Sequence, residues 1–136
     1  MNINQETVDI IKDFLVKKIN PIFIYIFGSS VCGNFNDDSD IDIGFFKFED
    51  INSYELFFMQ EELADILKRD VDLINLKNST TVFKAQVVGF GELIYQNNEN
   101  IITEFRIRSL KEYAKLNEER KIIIDKMREE IMDKYE

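Results

Sequence analysis

Three aspartates carry most of the chemistry this sequence can offer. Asp40 and Asp42 are one residue apart at the head of the apolar run Ile41 to Phe46, and Asp72 interrupts a second short run, Val71 to Leu76. In a strand, residues two apart face the same way with Cα atoms roughly 6.5 Å apart, so the first two carboxylates share one side. Like charges held that close are unfavourable unless a cation lies between them, and a pair of oxygen donors suits magnesium or manganese. If the two strands are neighbours, all three carboxylates converge at one sheet edge. The chemistry that wants this set is phosphoryl or nucleotidyl transfer, in which two metals about 4 Å apart hold phosphate oxygens, activate a hydroxyl and stabilise the leaving group.

The stretch upstream fits that purpose. Ile22 to Phe27 is β-branched and aromatic, follows Pro21 and stops at Gly28, as a short strand buried on both faces would. Gly28-Ser29 then turns the chain into a short helix ended by Gly33. A turn of this kind leaves backbone N–H groups and a hydroxyl free to receive a phosphate. Ser29 also suits a plain helix cap. The rival for the acidic stretch is a calcium loop, because Asp38, Asp40, Asp42 and Glu49 stand at positions 1, 3, 5 and 12 of such a loop. Position 6 of that loop needs glycine for its sharp turn, and Ile43 stands there, with Gly44 one place late.

Composition narrows the remaining classes. The chain has no histidine, which removes Ser-His-Asp and Cys-His triads, histidine zinc sites and histidine general bases together. Its one cysteine, Cys32, excludes an internal disulfide framework and agrees with a reducing compartment. A net charge of −9 argues against broad binding to a nucleic-acid backbone, so no direct nucleic-acid partner is expected. The charge is uneven: residues 97–136 hold nine basic against ten acidic residues, and the strongly acidic balance falls on residues 1–96. No apolar run approaches 18 residues, and the opening segment has neither a basic nor an apolar leader region, so a cytoplasmic protein without a membrane segment is expected.

The elements that must position the aspartates follow from periodicity. Val8, Ile11 or Ile10, Leu15 and Ile19 recur near helical spacing over residues 5–19, and a second helix is predicted over 54–69, capped by Asn52 or Ser53. Val71 to Leu76 alternates as a strand. Ser79 or Thr80 caps a short helix through Val88, Gly89-Phe90-Gly91 turns, and Glu92 to Tyr95 forms an edge strand. From Ile101 onward there is neither Gly nor Pro, predicting either one helix or two that break near Leu116 to Glu119. The fold class is therefore α/β: a small mixed sheet of about four strands flanked by helices, with a C-terminal helical tail. At 136 residues the chain is expected to be one domain, a core of about 5–96 and a helical extension of about 99–136.

Gly28-Ser29, three residues and Gly33, followed by Ser39-Asp40-Ile41-Asp42, resembles the GSxxxG…SDxD signature of the DNA polymerase β-like nucleotidyltransferases, in particular their minimal, MntA-type members. Val71-Asp72-Leu73 resembles the strand bearing that family's third carboxylate. The resemblance implies that Asp40, Asp42 and Asp72 are catalytic and bind two Mg2+ ions (Mn2+ being the substitute), that Asp72 acts as or helps the base, and that Gly28, Ser29 and Ser39 form the nucleotide- and phosphate-binding stretch for ATP. Minimal members are antitoxins encoded beside a HEPN-domain ribonuclease toxin, and transfer AMP from ATP to a toxin tyrosine. The resemblance thus implies a protein adenylyltransferase whose partner is a HEPN toxin, with the C-terminal helix available for docking or self-association. One departure is Cys32, where many relatives carry a basic residue. It leaves open an antitoxin acting by binding alone, and nucleotidyl transfer to a small molecule such as an aminoglycoside is the third reading.

Overall fold

A computed structural model describes residues 3–28 and 40–135. In chain order the elements are α1 (Gln5–Ile19), β1 (Phe23–Phe27), β2 (Ile41–Phe46), α2 (Ser53–Leu67), β3 (Val71–Asn75), a 3-10 turn (Leu76–Asn78), α3 (Thr81–Phe90), β4 (Glu92–Gln96) and α4 (Glu99–Tyr135). The strands form one mixed sheet in the order β3-β2-β1-β4, in which β1 runs antiparallel to both neighbours and β2 and β3 are parallel. A parallel pair needs a long crossover, and α2 supplies it.

Local signals set the helix ends. Asn4, Asn52 and Thr80 each accept a backbone N–H from the first turn of α1, α2 and α3, which satisfies donors that a helix start leaves unpaired. The α1 stop is Asn20, left-handed at φ 46°, whose N–H reaches the carbonyls of Leu15 and Val16; Pro21 comes only after it. Lys68, at φ 58°, ends α2 in the same way, two residues before the predicted end. The Gly89-Phe90-Gly91 turn is narrower than its sequence suggests: α3 runs through Phe90, and Gly91 alone caps it by donating to Val87 O. The alternative of a break near Leu116 to Glu119 is not taken, since α4 is one unbroken helix of 37 residues. Nothing between 99 and 135 removes an N–H or loosens the backbone, so the helical ladder continues.

Alternation along the strands gives each sheet face its own cover. Ile24, Ile26, Ile41, Ile43, Phe45 and Leu73 point to one face, where Val8, Ile11 and Leu15 of α1 and Met59 and Leu63 of α2 close over them. Phe23, Tyr25 and Phe46 point to the other, against Val87 of α3 and Ile102 of α4. Gly44 is a close-approach position on that second face: a Cβ there would stand 2.9 Å from a methyl of the buried Leu76. Arg106 Nε donates to the Tyr25 hydroxyl at 2.8 Å, tying α4 to the central strand. The helix then runs on, and residues 117–134 are exposed throughout. At 1.5 Å per residue that exposed length is about 27 Å. No helix among the described residues is long and apolar enough to cross a membrane.

Candidate active site

β2 and β3 bring the sequence-predicted carboxylates together. Their parallel register pairs Asp42 directly with Asp72. Paired residues on adjacent strands project to the same face about 4.8 Å apart. That face is the one covered by α3 and α4, because Asp42 alternates with the inward-facing Ile41 and Ile43. Asp40 lies just before the strand, two residues from Asp42 and hence on the same side. Asp40 and Asp72 are exposed and Asp42 is half-buried.

The Asp42 carboxyl consequently titrates above its ordinary value of 3.8. Burial is the main cause, followed by the negative charge of Asp72 and then that of Asp40. No lysine or arginine among the described residues forms an ion pair with any of the three. The site thus concentrates negative charge and leaves it uncompensated by the protein.

Gly28 closes the site from above. It follows β1 with φ +76°, a conformation glycine adopts without strain, and a Cβ on it would stand 2.2 Å from Asp42 Oδ2. Gly28 therefore lies against the Asp42 carboxylate. Phe27, paired with Asp42 across β1 and β2, meets Phe83 of α3 edge-on at 5.3 Å and walls one flank. Periodicity had offered no reason to single out Phe83. Ser29, Ser39, Cys32, Gly33 and the predicted short helix lie outside the described residues.

The donor set fits a hard divalent cation in kind: carboxylate oxygens only, from adjacent strands, with crowding that a positive ion would relieve. Among the described residues no three carboxylates are close enough to hold a metal by themselves. Asp40 and Asp72 are exposed, where packing does not fix their rotamers, and a bound triphosphate would contribute oxygens of its own.

The comparisons with known proteins agree with this geometry. Residues 9–100, which span the sheet and all three aspartates, match the family described as "Polymerase beta, Nucleotidyltransferase". The chain belongs to the polymerase beta nucleotidyltransferase family. Within that family it is 33% identical over 104 residues to the protein adenylyltransferase MntA of Shewanella oneidensis, covering 75% of this chain and 73% of that protein. A solved toxin–antitoxin structure with AMP-PNP superposes with TM-score 0.77 at 30% identity, covering 88% of this chain and 97% of the other. The MNT antitoxin complex with a tri-AMPylated HEPN toxin of Shewanella oneidensis superposes at TM-score 0.75 and 28% identity, covering 90% and 97%. The polymerase beta nucleotidyltransferase fold predicted from GSxxxG…SDxD is the fold observed.

Proposed function

We propose that this nucleotidyltransferase transfers AMP from ATP to a tyrosine hydroxyl of a partner HEPN-domain ribonuclease toxin, and so acts as its antitoxin. The observation that carries the reading is the pairing of Asp42 with Asp72 across parallel strands beneath Gly28. Similarity to a protein adenylyltransferase and to a complex containing an AMPylated HEPN toxin supports the choice of group and acceptor. We place the reaction in the cytoplasm, where ATP is held.

Asp40 and Asp42 would hold Mg2+, with Asp72 as a further ligand. When bound, the metal neutralises the triphosphate and lowers the barrier to loss of pyrophosphate. The rest falls to the chain's own groups. Gly28 would bring its backbone to the phosphates, and Ser29 and Ser39 are the further phosphate-binding residues that the GSxxxG…SDxD resemblance implies. The tyrosine oxygen forms a bond to the α-phosphorus while the bond from that phosphorus to the bridging oxygen breaks, and that oxygen leaves in pyrophosphate. Asp72, exposed at the strand end, accepts the hydroxyl proton or directs it to solvent.

The test incubates the protein with ATP labelled at the α-phosphate, magnesium and the HEPN protein encoded by its neighbouring gene. Label should appear on a toxin tyrosine and be lost with Asp40→Asn and with Asp42→Asn. Transfer that survives both substitutions would overturn the mechanism, and neutralisation without transfer would replace it by binding alone.

A further inference from the structure

At the end of the sheet away from the aspartates, four elements enclose a cleft of about 310 Å3. Its floor is aromatic. Phe46, at the last position of β2, stacks on buried Phe23 at 5.0 Å and 3°, and meets Phe105 of α4 at 5.3 Å. Phe48 stands edge-on to Phe46 at 5.1 Å and is 55% exposed. Phe46 is almost wholly buried, so the apolar surface offered outward comes from Phe48 and the half-buried Phe105.

The rim is cationic, in a chain of net charge −9. Lys77, from the 3-10 turn, is held in place by the Phe48 carbonyl and by Asp50 Oδ1 at 3.0 Å. Arg108 of α4 is steadied by Glu104 Oε1 at 3.0 Å, one helical turn away. Lys84, from α3, lines the same cleft and forms no ion pair among the described residues. Three cations therefore line an aromatic floor, Lys77 paired with Asp50, Arg108 with Glu104, and Lys84 with no ion pair among the described residues. A larger depression of about 510 Å3 beside it is lined by α4 residues alone, and so is one helix's surface rather than an enclosure.

The volume is at the lower end of small-ligand sites, which bury an apolar body and orient it through a few polar groups. An aromatic ring fits the apolar floor, and a phosphate, with its larger charge, fits the cations that line it better than a singly charged carboxylate does. Glu104 offers an acceptor for a ring amine. Four strand positions, about 13 Å, separate Phe46 from Asp42, so a monophosphate seated at the cleft cations lies apart from the aspartates.

We propose that this cleft is a second ligand site, separate from the aspartates, for an aromatic phosphate monoester the size of a nucleoside monophosphate. The full-length protein is titrated with AMP in the presence of a chelator, by calorimetry and by amide NMR. AMP should bind, with shifts at Phe48, Lys84 and Phe105. Lys84→Gln and Arg108→Gln should each weaken it about fivefold or more, and adenosine or inorganic phosphate alone should bind about tenfold more weakly. Both substituted side chains are partly or largely exposed, so the variants fold, and their unchanged amide spectra away from the cleft check this. The proposal is overturned by absence of binding up to about 10 mM AMP, by unchanged affinity in both variants, by inorganic phosphate binding as tightly as AMP, or by shifts confined to Gly28 and Asp42.

Discussion

Gly28 and Asp42 are in contact across the end of β1 and β2, with no room for a side chain on residue 28: its Cβ would lie 2.2 Å from Asp42 Oδ2. The turn that would receive phosphate and the carboxylate that would bind metal are thereby one rigid unit. Gly28→Ala must both adopt φ +76° and displace the carboxylate. We expect a loss of about 1–3 kcal/mol in urea unfolding, and a fall of about a hundredfold or more in label transfer, because small displacements in a catalytic site are costly.

Asp42 should be a liability to stability in the absence of metal. Its folded-state pKa is raised, so the native state holds the proton more tightly than the unfolded state does. Stability therefore falls as pH rises from about 3.8 through the raised native value, and the loss persists above it. Asp42→Asn removes this term. With a chelator present, its melting temperature should exceed that of the native protein at neutral pH, and the two should converge near pH 4 and below. A variant less stable than the native chain at pH 7 would contradict the origin assigned to the shift.

Burial raises the Asp42 pKa more than either neighbouring charge does. In Asp72→Asn, carboxyl-carbon NMR should find the Asp42 titration moved down but still above 3.8, because the larger cause is untouched. A return all the way to 3.8 would mean that charge, rather than burial, sets the value.

Tyr25 is almost wholly buried and receives Arg106 Nε. Tyr25→Phe removes that acceptor while keeping the ring. A loss of about 1–2 kcal/mol is expected in denaturant unfolding, with faster amide exchange in the first turns of α4.

Truncation after Leu116 removes residues 117–134, all exposed, together with the last two residues of the chain. Unfolding of the shortened chain should stay within about 1 kcal/mol of the original. If neutralisation of the toxin falls while transfer to an isolated toxin peptide does not, the exposed apolar residues Ile122, Ile123, Met127 and Ile131 serve docking rather than folding.

How much of this was legible beforehand depended on distance along the chain. The Asp40–Asp42 pair and the Gly28 turn were readable because strand period and glycine chemistry are local rules. The junction of Asp42 with Asp72 rested on an assumption that β2 and β3 are neighbours, and the observed parallel register supplies it. The second helix was legible in extent, while which of its apolar residues turn inward was settled by packing: Met59 and Leu63 are buried, Leu56 and Leu67 pack at the margin, and Phe57 is exposed. The alternative of a C-terminal break came from the polar stretch between Leu116 and Glu119, but polarity alone does not interrupt a helix without a residue that spoils its hydrogen bonds. The cleft below Phe46 was invisible because its walls come from β2, the 3-10 turn, α3 and α4, with no shared spacing to reveal them.

The parallel pairing of β2 and β3 also sets when the enzyme can exist. Strands joined by a hairpin can meet early, whereas these two meet only after α2 has docked and closed the intervening loop. One of the three carboxylates, Asp72, arrives with that late event. A nascent or partly unfolded chain that retains β1, β2 and β4 would hold Asp42 without Asp72, and would be chemically silent. Catalytic competence is in this sense a report on the completeness of folding, and a proteolytic cut within α2 should abolish transfer before it abolishes the antiparallel part of the sheet.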